Sequence, residues 1–586
     1  MSDFIYSNKS IEEGKLTKEI QAIYHQDKPS VQEFHGEWGS LAISENLYNG
    51  FQAYESPEHI CVVIGGPVLY FRDNRFLNSD SSMAGTRAIY ERWLECLLEW
   101  DKDLSGPFAV LIIDKRSSEA ICITDLMSFI PVYAYRDSAT VMLSTHVDVL
   151  ASASGQEAQI DVVSKVDFIL HGVVTYPYTV YQAIRQLAPA TVHFIKGEDS
   201  QSHPYWVPEE KDMYGSITKA AKDLREGLQR YVKRITSEVN PIAQFISGGE
   251  DSRMLSGLLR NGYAHDAFVF LDQVNREGEI AGKAAHAYGV NFKLALRDKL
   301  HYLDILASST KLVGSGSQYF HAHTFGFHKS CQLNDYQAVF GGLFSDALLK
   351  GARVKKMRGS GRLPFLPQIK RSGYTAGESI TNSHFTREVL SALTKRRQAH
   401  LKYVSSFRNQ SAEEWFELWP SSMNMNIPNL HANRRLFRSY EPFMANDVVK
   451  ISAAVPQHWK LNRRLFHKIA KPWLKPTKWL LHGEGRLPYF PWHINLFVQF
   501  SNWVYQETGK KVGLIKGNQG PWAGWDELMN SPEWKRARDT YSNGIEDIQS
   551  ALNGKDVKAL LESNELDYIQ QINLMQTLYS AHKRNV

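Results

Sequence analysis

Cysteine is scarce in this sequence. Only Cys61, Cys96, Cys122 and Cys331 occur among 586 residues, far apart and without a CxxC pair. That excludes a disulfide framework or a cysteine zinc site, and a reduced, cytoplasmic protein is expected. Long hydrophobic runs are also missing: nothing approaches the roughly 20 apolar residues a membrane helix needs. The start, Met1-Ser2-Asp3-Phe4-Ile5-Tyr6, has no basic stretch leading into an apolar core, so no signal peptide is expected. Neither sign of charge dominates. The 67 Lys and Arg against 62 Asp and Glu leave +5, too little over this length to make nucleic acid the main partner. What is present is ordinary globular chemistry, 43% hydrophobic and 22% charged, on a chain long enough for more than one domain.

Short apolar runs at 60–64, 108–113, 120–123, 132–135, 141–143 and 191–194, separated by turn residues such as Gly65-Gly66-Pro67 and Asp137-Ser138, predict packed β-sheets. A helix is predicted over 83–100 from the spacing of Ala88, Ile89, Trp93, Leu94, Leu97 and Leu98. After Pro208-Glu209-Glu210-Lys211 the pattern changes. An amphipathic helix over 215–239 precedes a strand at 242–246, a glycine loop and a helix at 253–259 closed by Asn261-Gly262. A strand at 267–271, a helix at 277–288 ended by Gly289 and a strand at 292–296 follow, so a parallel sheet with helices on its faces is expected. Residues 353–371, basic and rich in Gly and Pro, read as an exposed loop. The aromatic-rich tail with Trp503, Trp522, Trp525 and Trp534 reads as packing or as a pocket frame.

The strongest local signal is Ser247-Gly248-Gly249-Glu250-Asp251-Ser252 between a strand and a helix. Glycines allow close backbone approach, and N–H groups at a helix start carry partial positive charge, so the loop is expected to hold phosphate oxygens on open amides. Ser247 and Ser252 add hydroxyl donors. Asp251 cannot face a phosphate directly and makes sense as a ligand of Mg²⁺. The pattern is neither a Walker A loop nor a GxGxxG fingerprint. His321-Ala322-His323 with His328 has two histidines at i and i+2 but lacks the ligands that would complete a metal site.

With the loop on the page, the chain resembles the asparagine synthetase superfamily, whose synthetase domain is an N-type ATP pyrophosphatase carrying SGGxDS. Gly106-Pro107-Phe108-Ala109 with Asp114, Asp125…Pro131-Val132-Tyr133, Ile160-Asp161 and Leu187-Ala188-Pro189 follow the order of the family's first domain. Glu279, Gly341-Gly342-Leu343-Phe344-Ser345-Asp346, Glu441-Pro442-Phe443, Val455-Pro456 and Arg463-Arg464-Leu465 follow that of the second. The resemblance implies an α/β chain with an N-terminal Ntn-hydrolase-like αββα sandwich (1–208), a C-terminal adenine nucleotide α-hydrolase-like parallel-sheet domain (209–500), and a helical extension (501–586) packed on it. It implies ATP and Mg²⁺, with Ser247, Gly248, Gly249, Asp251 and Ser252 on the nucleotide and Asp251 and Asp346 on the metal. It also implies a lysine over the phosphates, for which Lys478 is the choice among Lys468, Lys471, Lys475 and Lys478, the alternative being a solvated basic face.

Three departures shape the expectation. The family's N-terminal catalytic cysteine is Ser2 here, a much poorer nucleophile without an activating base, so a first domain without glutaminase activity is expected. The glutamate of the family's S-G-E-G-S-D is Leu343, which cannot move a proton. Tyr440 or Glu441, in Arg438-Ser439-Tyr440-Glu441-Pro442-Phe443, could serve as base for an incoming amine, or form a salt-bridged turn. The expected activity is ATP-dependent amide-bond formation through an acyl-adenylate. Its partners would be a small-molecule or peptide carboxylate and ammonia or an amine, with a homodimer possible. The product could be a primary amide, a macrolactam or a β-lactam-like ring. The alternative is a catalytically silent, nucleotide-binding scaffold.

Overall fold

The computed structural model describes residues 2–585 apart from 26, 79–81, 198, 212, 260–264, 357–364, 371–375, 514–518, 521–523, 543, 555–559 and 562–565. The Asn261-Gly262 turn, Trp522 and much of the 353–371 loop lie outside the described residues.

Alternation along the first strands builds two cores at once. In the strand Phe108–Asp114, Ala109, Leu111 and Ile113 face a core shared with Phe4, Tyr6, Leu41 and Ile43. Phe108, Val110 and Ile112 face the opposite way, onto Ala88 and Ile89 of the helix Ala84–Leu94. The result is two stacked six-stranded antiparallel sheets. Helix Lys15–Ala22 covers the outer face of the sheet that carries Phe4–Ser7, through Leu16 and Ile20 against Ile5, Ala42 and Met142. Helices on both outer faces complete an αββα sandwich. The helix expected over 83–100 is broken: it stops at Leu94 and resumes only as Trp100–Asp103. Leu94 and Leu97 are exposed, so no apolar contact rewards its continuation, and Cys96 takes a left-handed conformation that ends it.

The second half holds a five-stranded parallel sheet in the order Asn291–Leu296, His265–Leu271, Ile242–Phe245, Ala338–Phe340, Ser439–Tyr440. The chain starts at Ile242–Phe245, winds to one edge, then returns to build the other. The order therefore reverses between Ile242–Phe245 and Ala338–Phe340. In open α/β sheets that reversal opens a crevice at the carboxyl ends of the two strands, and both candidate loops leave from there.

The two halves share one core. Leu224, Leu228, Tyr231 and Ile235 of the helix Ile217–Thr236 pack in the same cluster as Phe108 and Val110. Tyr48 donates to the Ser439 carbonyl at 2.6 Å and Trp419 Nε1 to the Leu126 carbonyl at 2.9 Å. The expected boundary at 500 falls inside the helix Trp492–Lys511. The tail also reaches the first half, not the second half alone. Leu574 and Leu578 of the helix Tyr568–Asn585 pack on Val166 and Ile169, and Asn573 donates to the Phe168 carbonyl at 3.1 Å. The physical reason is the apolar face of Val162–His171, which needs a cover. Among the described residues no helix is long and apolar enough to cross a membrane.

Candidate functional site

The strand Ile242–Phe245 ends at the glycine loop, and the helix Glu250–Leu258 starts directly after Gly249. The first-turn N–H groups of that helix have no intrahelical carbonyl to bind, and no side chain caps them at Gly249. The amides before them are not open as expected. Ser247 N–H donates to Ser252 Oγ at 3.0 Å, Gly249 N–H to Ser247 Oγ at 3.0 Å, and Gly248 N–H to Glu277 Oε1 at 2.6 Å. Arg253, fully buried, turns the peptide by holding the Gly248 carbonyl at 2.9 Å. A Cβ at 248 would lie 2.7 Å from Glu277 Oε2, so any larger residue there would force the Glu277 side chain to shift. The acidic residue that meets the loop is thus Glu277; Glu279, picked out from the sequence, is exposed, two positions along the helix and on another face. Burial pushes the Glu277 carboxyl above its usual range, and the Gly248 amide opposes the shift.

Asp251 and Asp346 come together across the crevice, and a residue not singled out in the sequence joins them. Lys350 Nζ lies 2.8 Å from Asp346 Oδ1 and 3.4 Å from Glu250 Oε1, and forms a shorter ion pair with Asp251 Oδ2. The signal for it was the i, i+4 spacing from Asp346, a helical Asp–Lys pair. Burial raises the Asp251 carboxyl to about 6, Asp346 and Glu250 add to this, and Lys350 opposes it. For the lysine, burial alone would lower the pKa, but the three carboxylates hold the ammonium well above its usual range. Glu250 is likewise penalised by burial yet kept ionised by Arg486, Lys350 and Arg463; Arg463 Nε is 2.8 Å and Arg486 Nη2 3.2 Å from its Oε1. Asn462 and Arg463 both sit at positive φ, 52° and 56°, a conformation costing roughly 1 kcal/mol or more per residue.

A divalent ion does not fit between Asp251 and Asp346 as these residues stand. The ammonium fills the gap, and among the described residues no group of three or more His, Cys, Asp or Glu is arranged to hold a metal. His321 and His323 belong to no such group; both are kept neutral by burial.

Lys478 is not brought to the loop. It is exposed, with its ammonium 5.4 Å from the Trp479 ring centroid. Tyr440 and Glu441 follow from the edge strand, at the same carboxyl side of the sheet. Tyr440 is buried edge-on against Tyr48 at 5.3 Å, and burial raises its phenol far above the usual range. Glu441 is no salt-bridged turn. It is 1% exposed, and its Oε2 accepts the Leu343 N–H at 2.9 Å. Burial pushes its carboxyl up to about 8, the Leu343 and Ser439 hydrogen bonds opposing. Gly341 admits it: a Cβ there would stand 2.2 Å from Glu441 Oε1.

In the first half, Ser2 is fully buried. Its Oγ accepts the Gly65 N–H at 3.3 Å and its carbonyl accepts Arg434 Nη1 at 2.6 Å. Asp3 beside it is paired with Arg434 at 3.0 Å and Arg435 at 2.7 Å. Cys61 lies inside a strand, and burial raises its thiol far above the usual range.

Residues 70–206 match a glutamine amidotransferase domain family, in agreement with the resemblance drawn for the first half. No curated protein matches the chain. Among solved structures, it is similar to the B. subtilis glutamine phosphoribosylpyrophosphate amidotransferase complexed with ADP and GMP, at 10% identity, TM-score 0.24, over 50% of this chain and 65% of that one. It is similar to an allosteric regulatory enzyme of purine biosynthesis at 12% identity, TM-score 0.24 and the same 50% and 65% coverage. An NH3-dependent NAD synthetase from Campylobacter jejuni aligns at 15% identity, TM-score 0.18, over 38% of this chain and 95% of that one. The chain thus spans 65% of the length of the first two.

Proposed function

We propose that this protein is an ATP-dependent carbon–nitrogen ligase that adenylates a substrate carboxylate and passes the acyl group to ammonia or an amine, without hydrolysing glutamine itself. One observation carries the reading. At the reversal of strand order, the Ser247–Ser252 loop and the Gly341–Asp346 loop face each other, with Asp251, Asp346, the buried cations Lys350 and Arg486 and the partly buried Arg463 converging on the crevice.

A carboxylate oxygen bonds to the α-phosphorus of ATP as the bond to the bridging oxygen breaks, and pyrophosphate leaves with that electron pair. The first-turn amides of Glu250–Leu258, the Ser247 and Ser252 hydroxyls and the Lys350 ammonium would meet the growing negative charge; fixed donors do this without reorganising during the step. The amine nitrogen then bonds to the acyl carbon, AMP departs with its electron pair, and the amine's proton passes to a base. Glu441 suits that role: its carboxyl lies beneath the backbone of Leu343, where the resembling family has its glutamate, and a pKa near 8 matches proton transfer at neutral pH. In the first half, Ser2 is walled in and the Asp3–Arg434–Arg435 cluster fills its surroundings, which supports a structural role there.

A second reading, a silent nucleotide-binding scaffold, is favoured by the capping of Gly248 N–H by Glu277. ATP–pyrophosphate exchange with a panel of carboxylates separates the two. The ligase predicts carboxylate-dependent exchange that Asp251→Ala abolishes and that glutamine does not stimulate. ATP binding without exchange across the panel would leave only the scaffold.

A further inference from the structure

The Asp251–Asp346 pair holds more than two carboxylates awaiting a metal. Lys350, at the end of the short helix Ser345–Leu349, is only 5% exposed in its side chain. Its ammonium faces Asp251, Asp346 and Glu250 on one side and the Phe466 ring, 4.6 Å from its centroid, on the other. Arg463 and Arg486 stand behind Glu250. A Mg²⁺ ion takes oxygen ligands at about 2.1 Å in near-octahedral geometry. Here the space between the two carboxylates is taken by a tethered positive charge with three donors, and a second cation would meet its repulsion. The Asp346 side chain is 67% exposed, so this cation borders the crevice instead of being sealed beneath it.

We propose that Lys350 is the cation of this seat: its ammonium stands in for a divalent ion between Asp251 and Asp346 and contacts the pyrophosphate of the bound nucleotide. The contact with pyrophosphate rests on the ligase reading; the occupancy of the seat does not. The protein thus carries one of its counter-charges covalently, and nucleotide binding depends less on free magnesium than a seat built from two bare aspartates would require.

Manganese titration of the nucleotide-free protein, followed by electron paramagnetic resonance, tests the seat without ATP or turnover. The wild type is expected to show no Mn²⁺ site that Asp346→Asn removes. Lys350→Met, which keeps the length of the side chain over Phe466, is expected to gain one, at least about tenfold tighter than any wild-type site, and Lys350→Met with Asp346→Asn to lose it again. A wild-type Mn²⁺ site abolished by Asp346→Asn overturns the proposal, as does a folded Lys350→Met protein that binds Mn²⁺ as the wild type does. If Lys350→Met does not fold, the wild type and Asp346→Asn still decide. In EDTA, ATP affinity should fall roughly tenfold in Lys350→Met; equal affinities would remove the pyrophosphate contact. A protein that fails pyrophosphate exchange still reports on the seat, so the two ideas fail separately.

Discussion

Burial of the Glu441 carboxyl under Gly341 sets the pH at which it changes charge. Its pKa moves from the ordinary 4.5 to about 8, so the proton is favoured in the folded state. Stability linked to this group is fully present below the unfolded value and is lost as pH rises through about 8. Glu441→Gln should therefore flatten the decline of the melting temperature over that range. In the ligase reading, acyl transfer in the wild type should rise with pH through the same region. Glu441→Gln should lower it by about 10²-fold while pyrophosphate exchange continues. A parallel fall in exchange would assign Glu441 to positioning. Asp251, Asp346 and the two serines could be picked out as candidates because each belongs to a contiguous motif. Arg463, Arg486 and Glu277 were not legible as site residues, since only the folding of distant segments brings them to Glu250 and Gly248, and Lys350 left only its i, i+4 spacing from Asp346 as a trace. Lys478 was chosen by its place in the chain, but nothing turns it inward.

At the scale of elements, the glycine loop and the helix Arg276–Tyr288 are fitted to one another through a single close approach. A methyl group at 248 would stand 2.7 Å from Glu277 Oε2, so Gly248→Ala should cost about 1–3 kcal/mol. Because the clash has one named partner, Glu277→Ala in the same protein should recover much of the loss, read as the shift in denaturant midpoint around the double-mutant cycle. Independent costs would show that the loop is strained for another reason. The alternation of strand and helix from 242 to 296 could be read from periodicity. The strands Ala338–Phe340 and Ser439–Tyr440 could not: three and two residues are too few to show a period. They are strands because the sheet edge offers them partners. Phe344 makes the same point. At φ 70° it occupies a left-handed position, and its ring packs edge-on against Phe129 of the first half at 5.1 Å. Tertiary packing offsets a backbone preference that local sequence alone would refuse.

At the scale of the molecule, the first residues are fastened to the second half by charge. Asp3 is fully buried between Arg434 and Arg435. Burial would raise its carboxyl, but the two guanidiniums hold it far below the usual range. The stability it contributes is present above the unfolded carboxylate range and is lost only as pH falls toward the folded value. Asp3→Ala strands two buried cations and should cost about 3–5 kcal/mol. Since the halves also share the core that joins Phe108 to Leu228, calorimetry should show one shifted transition, not the loss of one of two. The packed sheets of the first half were legible in its apolar runs and its αββα order only through the family resemblance; the merger of its core with the helix Ile217–Thr236 was not, because an amphipathic stripe does not name the surface it will cover.

That merger bears on anyone wishing to work with a smaller piece. Cutting between the halves would lay bare the greasy side of the 217–236 helix and leave Arg434 and Arg435 without Asp3, so the second half taken alone would be a sticky fragment. What reads as two modules along the chain is, for handling, a single indivisible object.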